Sequence, residues 1–376
     1  MASTFQLLLN GTAADDNLLN ALSSLEVEEN ADLSGAIQLN FAISRSEADD
    51  LTFVNDAGLQ PFANLAIIAT PEDKPDECIF DGYVLSHKLH LETGITNSSL
   101  QVWGQDASWL MNLEEKTREW VDVTDASVAN TIFNEYGFTP DSGNTEDDSP
   151  SHTEDGHSLM QRGSDIQFLR NLARRNGKLC RVACTTTPGK CTGYFASPKL
   201  DGDPLLTLTL NDPEAWTVRA LDFDWDVTRP SAVKASQALF SDNNEDGVSG
   251  DTNDSELPLL DARSLADFAG KPMTVLLTAP VDAAGELQLR AKSLLRESGW
   301  FVRCEGEADV SRLSAVLRVG TVVQIEGVGS LNSGKYYVWS VRHTITADSH
   351  KMKFTLVRNA VGAPPQNSSG LLGGLL

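Results

Sequence analysis

The sequence lacks an apolar run long enough to cross a membrane. A spanning helix needs roughly 18 consecutive apolar residues, and the 376-residue chain contains no such run. Residues 1–10 include no lysine or arginine, and their three consecutive leucines are too few for the core of a signal peptide. We therefore expect no membrane span and no cleaved export signal, and we expect the chain to be made in the cytoplasm.

Positive charge is scarce. The chain has 29 lysines and arginines against 53 aspartates and glutamates, which gives a formal net charge of −24 at pH 7. A protein with this balance repels a phosphate backbone instead of releasing its counterions. We therefore expect no specific nucleic-acid binding.

Cysteine is scarce as well, with five residues in the whole chain. An odd number spread this thinly does not make the disulfide framework of a small secreted domain, and a reducing compartment is the simpler interpretation. Hydrophobic residues are plentiful at 41%. The chain can therefore bury packed cores, which excludes a wholly disordered protein.

The first hundred or so residues have the alternating pattern of β-strands. Ile37, Leu39, Phe41 and Ile43 alternate with small or polar residues, which predicts a strand with one buried face. The same alternation recurs in three other segments, at Leu25 and Val27, at Tyr83, Leu85, His87, Leu89 and Leu91, and at Leu100 and Val102. Strands in this number predict a small antiparallel barrel or sandwich.

Two helices are predicted after this β region. Thr124 is suited to cap a helix that stops at Gly137, and its apolar stripe is Val128, Ile132, Phe133 and Tyr136. Ser164 and Gln167 have the spacing of a capping box, and the helix that follows is expected to end before Gly177. Its apolar stripe is Phe168, Leu169 and Leu172, and Arg174 and Arg175 suit its C-terminus.

Segments 141–163 and 241–256 are rich in polar and turn-forming residues, and segment 141–163 is predicted to be a mobile loop. A second β region begins near residue 205. It has strand patterns at 205–210, 221–228, 321–326, 336–346 and 351–358, and a helical stretch at 287–298 that Gly299 stops. The tail from Gly362 has no period and is expected to be flexible.

Three segments have an order and spacing typical of one protein family. Residues 165–177, DIQFLRNLARRNG, resemble its D-x-x-F-L-x-x-L-A-x-x-x-G helix, and residues 124–137 resemble the helix that precedes it. Residues 318–329, RVGTVVQIEGVG, and 333–343, SGKYYVWSVRH, followed by 354–359, resemble its last barrel strands. Up to about Val361, the chain thus resembles the late control D family of contractile phage tails. Relatives of that family form the hub half of spike proteins in type VI secretion and extracellular contractile injection systems.

The resemblance implies a homotrimeric baseplate hub. Each chain would have a mainly β fold with two small antiparallel β barrels and an α/β insertion, so that three chains place six barrels in a ring. Such a ring fits a hexameric tail tube on one side and a threefold spike on the other. The domains expected are a first β-barrel domain at 1–107, an α/β insertion at 108–213, a second β-barrel domain at 214–361 and a flexible tail at 362–376.

The resemblance also implies partners and a location. The partners are further copies of the chain, the tail tube or a tube-initiator protein, a separate spike protein and other baseplate proteins. A separate spike is expected because the chain ends at Leu376 without the β-helix of fused spike proteins. The chain would assemble in the bacterial cytoplasm and then belong to a virion tail or an extracellular injection particle. Two alternative functions are a baseplate-associated cell-wall hydrolase or peptidase and an extracellular carbohydrate-binding protein.

Two segments partly resemble metal-binding sequences, and neither has the full pattern of a metal site. Cys180, Cys184 and Cys191 lack zinc-site spacing even with His152 and His157 upstream, and they are interpreted as small apolar fillers. Residues 242–247 reproduce the first half of a calcium loop, D-x-[DN]-x-[DN]-G, but Asn253 stands where the loop needs a bidentate glutamate. We expect a solvated acidic loop there, and no metal or cofactor.

No catalytic residue is predicted. The sequence contains no G-x-S-x-G motif. His343 lies in a predicted strand and is interpreted as a structural or surface histidine. His87 and His90 fall on opposite faces of one strand, so they cannot form a single site.

Three aspartates are candidate lumen residues. Asp222, Asp224 and Asp226 alternate with Leu221, Phe223, Trp225 and Val227, so their face is expected to point away from a core that contains Leu221, Phe223 and Trp225. In a ring-shaped hub this face is either the lumen wall or an ordinary solvated surface. The lumen is favoured as a hypothesis, because an acidic wall does not adsorb DNA or acidic cargo.

Overall fold

The computed structural model describes residues 4–45, 50–94, 97–145, 151–154, 158–184, 186–237, 248–279, 281 and 284–363. The mainly β fold with short helices, predicted from the sequence, is confirmed. The expectations for the calcium-like loop and for most of the tail fall on residues outside these ranges.

The strands in the first half of the chain are β1 (Thr4–Leu9), β2 (Thr12–Ala13), β3 (Leu22–Asn30), β4 (Ala36–Ala42), β5 (Asn64–Thr70), β6 (Glu77–His90), β7 (Ser99–Asp106), β8 (Glu115–Trp120), β9 (Thr139–Pro140), β10 (Leu159–Ser164) and β11 (Leu179–Cys184). Those in the second half are β12 (Cys191–Ala196), β13 (Thr207–Thr209), β14 (Val218–Trp225), β15 (Ala232–Gln237), β16 (Val248–Ser249), β17 (Thr274–Leu277), β18 (Val302–Asp309), β19 (Val322–Glu326), β20 (Gly334–Ile345) and β21 (His350–Arg358).

The helices are α1 (Asp16–Ala21), α2 (Asp125–Glu135), α3 (Asp165–Arg175), α4 (Leu265–Ala269), α5 (Ala284–Ser298), α6 (Val310–Leu313) and α7 (Gly329–Asn332), together with 3-10 turns at Ala57–Leu59, Ala107–Asn112 and Ser142–Thr145.

One curled sheet contains most of the strands of both β regions. Its hydrogen-bonded order is β14-β18-β21-β20-β3-β4-β7-β6-β5-β1-β2, with β19 beside β20 and β13 beside β19. The link between the two regions is β20, which pairs antiparallel with β3. Leu25, Val27, Leu39 and Phe41 in the first region and Val341 in the second are fully buried in one hydrophobic core. The sequence patterns located these strands but did not predict that they join into a single sheet.

The same four-strand motif occurs twice in this sheet. Its four strands in chain order are β3, β4, β6 and β7 in the first copy and β14, β18, β20 and β21 in the second. In both copies the spatial order is first, second, fourth, third. The internal joint β20–β3 therefore connects the third strand of the second copy to the first strand of the first copy.

The irregularities of the two motifs also coincide. The first strands each have a bulge, between Leu22 and Ser24 in one copy and between Val218 and Leu221 in the other. The third strands each have a bulge just after an equivalent valine, Val84 or Val338. Bulges are defined features that re-aim a strand, so their coincidence aligns the two motifs residue by residue.

In both copies, the segment that leads into the flanking strand, β5 or β19, bonds to the third strand in the same way. Val84 N–H donates to the Ala63 carbonyl at 3.0 Å, and Val338 N–H donates to the Thr321 carbonyl at 2.9 Å. The residue before each acceptor has a positive φ, +68° at Phe62 and +87° at Gly320.

The α2 and α3 helices pack in a second hydrophobic cluster with β11 and β12. Both helices were predicted, and the structure confirms the Thr124 cap of α2. The capping box at Ser164 is absent: its hydroxyl donates to Asn112 Oδ1 at 2.7 Å and makes no cap hydrogen bond to α3. In a capping box this hydroxyl would accept from the Gln167 backbone N–H, but the buried Ser164 donates its hydroxyl to a neighbouring segment instead.

Part of the predicted loop 141–163 is regular. Residues 159–164 form β10, which pairs antiparallel with β8 from Leu159 opposite Trp120 to Ser164 opposite Glu115. Leu159 and Gln161 are buried, and the exposed Met160 and Arg162 alternate with them. The polar composition hid this short strand because its buried face has only one apolar side chain.

Candidate functional site

Among the described residues, the features that resemble functional sites include an exposed sheet face, two open strand edges and a largely buried polar cluster. We call the side of the large sheet that points away from the hydrophobic core the polar face. Its charged residues are Glu26, Glu28, Lys88, Asp222, Asp224, Arg303, Glu305, Glu307, Arg342, Lys351 and Lys353. Acidic and basic side chains are interleaved on this face, as in the pairs Arg342–Glu28 at 2.7 Å and Arg303–Glu305 at 2.6 Å.

The three candidate aspartates are exposed but do not form one row. Asp222 and Asp224 lie on β14, on the polar face. Asp226 follows the strand, and its carboxylate accepts hydrogen bonds from the Thr228 backbone at 2.9 Å and hydroxyl at 2.6 Å. These hydrogen bonds lower the pKa of Asp226. Asp226 therefore caps a turn.

The outer edge of β14, which we call the β14 edge, is open. The strand pairs with β18 on one side, and the described residues provide no strand on the other. Trp225 was expected in the core but is 54% exposed. It is the last residue of β14, and its ring makes an edge contact with the ring of Phe268 at 5.4 Å between centroids.

A second open edge lies on residues 85–90 of β6, which we call the β6 edge. Strand β5 covers β6 only up to Tyr83, whereas β7 pairs with β6 from Gly82 to His90. Leu89 and Leu91, predicted on the buried face of this strand, are 40% and 53% exposed. Residues 85–90 of β6 thus have no neighbouring strand on this side among the described residues, and apolar side chains of this segment lie in solvent.

Arg318 forms the centre of a largely buried polar cluster. Its guanidinium donates to Glu29 on β3 at 2.9 Å, to Glu77 on β6 at 2.8 Å and to the Cys184 carbonyl of β11 at 2.8 Å. Its side chain is 15% exposed. One side chain thereby connects the first β region, the insertion and the second β region.

The electrostatics of this cluster favour a charged Glu29. Burial by itself raises the pKa of Glu29, but the Arg318 charge and the nearby His343 ring outweigh it and lower the pKa to about 2. Although burial by itself lowers the pKa of Arg318, the Glu29 and Glu77 carboxylates in turn raise it. The ion pair is therefore intact at neutral pH.

His343 lies beside this cluster, fully buried. Its Nδ1 is 3.1 Å from Nε2 of His350, and its Nε2 is 3.7 Å from Glu29. Burial, followed by the charge of His343, lowers the pKa of His350 to about 3. The sequence pattern did not pair these histidines, because the turn that brings β20 and β21 together places residues seven positions apart side by side. Both rings are out of reach of a substrate.

The cysteines form a contact that the sequence did not predict. Cys78 of β6 and Cys184 of β11 make a disulfide across 106 residues of sequence. The expected reduced state is thus wrong for this pair, since so large a separation gives no sign of proximity. Cys180 and Cys191 are free and buried, and burial raises the pKa of each to about 12.

The other histidine candidates are dispersed. His152 lies 2.7 Å from Asp125, a carboxylate that also accepts from Asn176. His90 lies 3.2 Å from Glu92 in solvent, and His157 is outside the described residues. Within the described ranges, no three histidine, cysteine or acidic side chains are grouped to hold a metal, and no helix is long and apolar enough to cross a membrane.

Several solved structures share this fold. The tail protein from Neisseria meningitidis MC58 has 12% identity and a TM-score of 0.65, covering 96% of this chain and 97% of its own. The prophage MuSo2 43 kDa tail protein from Shewanella oneidensis has 14% identity and a TM-score of 0.64, covering 96% and 100%. The E. coli c3393 protein is a type VI secretion component similar to T4 tail proteins gp27 and gp5. It has 13% identity and a TM-score of 0.54, covering 92% and 76%.

The amino-acid sequence of the chain also matches the model of one protein family. The family model described as the Alg8 N-terminal domain matches residues 1–347. No curated protein matches the chain. The solved structures, at these identities, show a fold of the phage-tail type.

Proposed function

The chain belongs to the Alg8 N-terminal domain family, and from its tail-protein fold we propose that it is a structural hub of a contractile phage tail or a tail-like injection particle. In this role it is a homotrimer that adapts a hexameric tail tube to a threefold spike. We further propose that it is related to the late control D hubs and that its function resides in interfaces rather than in catalysis.

The observation that carries the proposal is the repeated four-strand motif. One chain contains two copies in a single curled sheet, with equivalent bulges and the same strand order. Three chains would supply six copies, which match the sixfold symmetry of a tube while the assembly keeps threefold symmetry for a spike.

The domain boundaries belong to this proposal. We propose a first β domain at 1–107, an α/β insertion at 108–213, a second β domain at 214–361 and a tail at 362–376. Each β domain would contain one copy of the motif, in accord with the positions of β3–β7 and β14–β21.

We propose that the polar face lines the lumen of the ring. The hydrophobic core covers the other side of the sheet, so the polar face is the side free to meet solvent. Asp222 and Asp224 would then face the lumen, with Asp226 at its rim. Lys351, Lys353 and Arg342 on the same face balance part of that negative charge, so the wall would be mixed in charge.

The proposed partners are further copies of the chain, the tail tube or tube-initiator protein, a separate spike protein and other baseplate proteins. The proposed site of assembly is the bacterial cytoplasm, before incorporation into the virion tail or the extracellular particle.

Light scattering on the chain co-expressed with its spike protein tests this function. We expect a complex that contains three copies of the 40.7 kDa chain. A monomer at all concentrations with spike present would overturn the proposal. Release of soluble fragments from peptidoglycan by the purified chain would instead support the hydrolase alternative.

A further inference from the structure

We propose that the ring closes by antiparallel pairing of the β14 edge of one copy with the β6 edge of the next, with Asp224 opposite Lys88. This inference rests on the proposed hub and names the surface through which its subunits meet. The occupant of each open edge is a second copy of this chain.

The internal joint between the two motifs supplies the model for this contact. There, the third strand β20 pairs with the first strand β3, with Arg342 opposite Glu28 and His343 opposite Val27. The Arg342 guanidinium donates to the Glu28 carboxylate at 2.7 Å on the polar face. Third strand to first strand is thus a pairing that this motif already makes once.

The residue alignment of the two motifs transfers this register to the open edges. The equivalent bulges after Val84 and Val338 make Lys88 the counterpart of Arg342. The pairings of β3 with β4 and of β14 with β18 make Asp224 the counterpart of Glu28. The facing pairs at the new joint are therefore Lys88 with Asp224, Leu89 with Phe223, and His90 with Asp222.

Both edges are free in the required places. Residues 85–90 of β6 bond to β7 on one side, and β5 leaves β6 at Tyr83. In the second motif, β19 leaves β20 at the equivalent Tyr337, and the following residues pair with β3. The β6 edge is therefore the one third-strand segment, among the described residues, that lacks its neighbour.

The charges of the two edges are complementary. The β6 edge presents the positively charged Lys88 to the polar face, and the β14 edge presents the negatively charged Asp222 and Asp224 there. Opposite charges placed directly across an antiparallel pair stabilise it, and like charges oppose it. A β14 edge therefore repels another β14 edge and attracts a β6 edge.

The apolar sides of the edges are complementary as well. Leu89, Leu91 and Trp225 are 40%, 53% and 54% exposed in the single chain. At the internal joint, the counterparts of Leu89 and Leu91 are His343 and Ile345. Both are buried, and they lie opposite Val27 and Leu25 respectively. Pairing the open edges would bury these exposed side chains in the same manner.

The geometry is head to tail, since each copy offers one edge of each kind. A contact of this type forms a ring when the rotation per subunit closes, and a filament when it does not. The internal joint sets the rotation between motifs, and its repetition between chains would continue the curvature of the sheet.

Charge reversal tests the joint in the chain co-expressed with its spike. We expect Lys88→Glu or Asp224→Lys alone to weaken assembly about tenfold or more, because each places like charges across the joint. The double variant Lys88→Glu/Asp224→Lys restores the opposite pair and should recover most of the assembly. Lys353→Glu, which alters the polar face within one copy, is the matched control and should assemble as the wild type does.

Cross-linking gives a readout that does not depend on affinity. We expect Lys88→Cys/Asp224→Cys to link chains to one another with a short bis-maleimide. The control Lys88→Cys/Glu28→Cys replaces the counterpart of Asp224, whose edge β20 already occupies, and should leave chains unlinked.

The outcomes separate the two proposals. A wild-type chain that forms no trimer with its spike overturns both the hub and the joint. A wild-type trimer whose Lys88 and Asp224 variants behave like the control, or whose Lys88→Cys/Asp224→Cys form does not cross-link, overturns the joint and leaves the hub standing.

Discussion

At the scale of single residues, Arg318 connects three separate parts of the fold. It pairs with Glu29 and Glu77 and donates to the Cys184 carbonyl, so it connects segments that are 134 to 289 residues away in sequence. No local pattern could have indicated this role, because the partners of a lone arginine depend on how distant segments pack. The sequence marked only that the segment around it resembles a family's closing strands.

We expect Arg318→Met to destabilise the fold by about 3–5 kcal/mol, because it leaves Glu29 charged and buried without its partner. Arg303→Met is the control, since Arg303 is 58% exposed in its pair with Glu305, and should change stability by less than about 1 kcal/mol. Urea unfolding measures both. Equal effects of the two variants would refute the structural role of Arg318.

The pH dependence of stability provides a second residue-scale prediction. The pKa of Glu29 is lowered from 4.5 to about 2 in the fold, so its contribution is present above pH 4.5 and is lost as the pH falls through about 2. Glu29→Gln should remove this term, worth about 3 kcal/mol, and flatten the difference between pH 5 and pH 2. Urea unfolding at several pH values measures the free energy of unfolding of both proteins. The same pH dependence in Glu29→Gln as in the wild type would contradict the prediction.

At the scale of elements, the sequence located strands and helices well where one face is apolar. The strand at Ile37, Leu39 and Phe41 and the helix after Thr124 lie where the periodicity placed them. The strand order, the bulges and the partner of Ser164 were not predictable, because each depends on contacts between segments distant in sequence. The third strands of the two motifs share the pattern Y-V-x-S-x-[KR], at residues 83–88 and 337–342, but so short a match is recognised as part of a repeat only after the strand pairing is known.

The caps of the two predicted helices should respond differently to mutation. Thr124→Ala removes a side-chain cap that accepts from the Ser127 backbone at 3.2 Å, and should cost about 1 kcal/mol. Gln167→Ala removes no capping-box hydrogen bond, since Ser164 makes none to the helix, and should be nearly neutral. Thermal unfolding compares the two variants, and a larger loss from Gln167→Ala would contradict the observed cap geometry.

At the scale of the whole molecule, the row of eight motif strands, which runs from β14 to β6, has an open edge at each end. The β14 edge and the β6 edge leave apolar side chains in solvent and carry opposite charges. The net charge of −24 shows that the chain is acidic. It does not indicate that acidic side chains on the polar face alternate with lysines and arginines. A pairing of Asp224 with Lys88 can be inferred only after the two copies of the motif have been aligned.

The most direct test of the hub is a cryo-electron microscopy map of the chain within its particle or in complex with its spike protein. We expect three copies around a threefold axis, each contributing eight motif strands to one closed ring, with the polar face towards the channel. One or two copies per particle, or a polar face on the outer surface of the ring, would contradict the account.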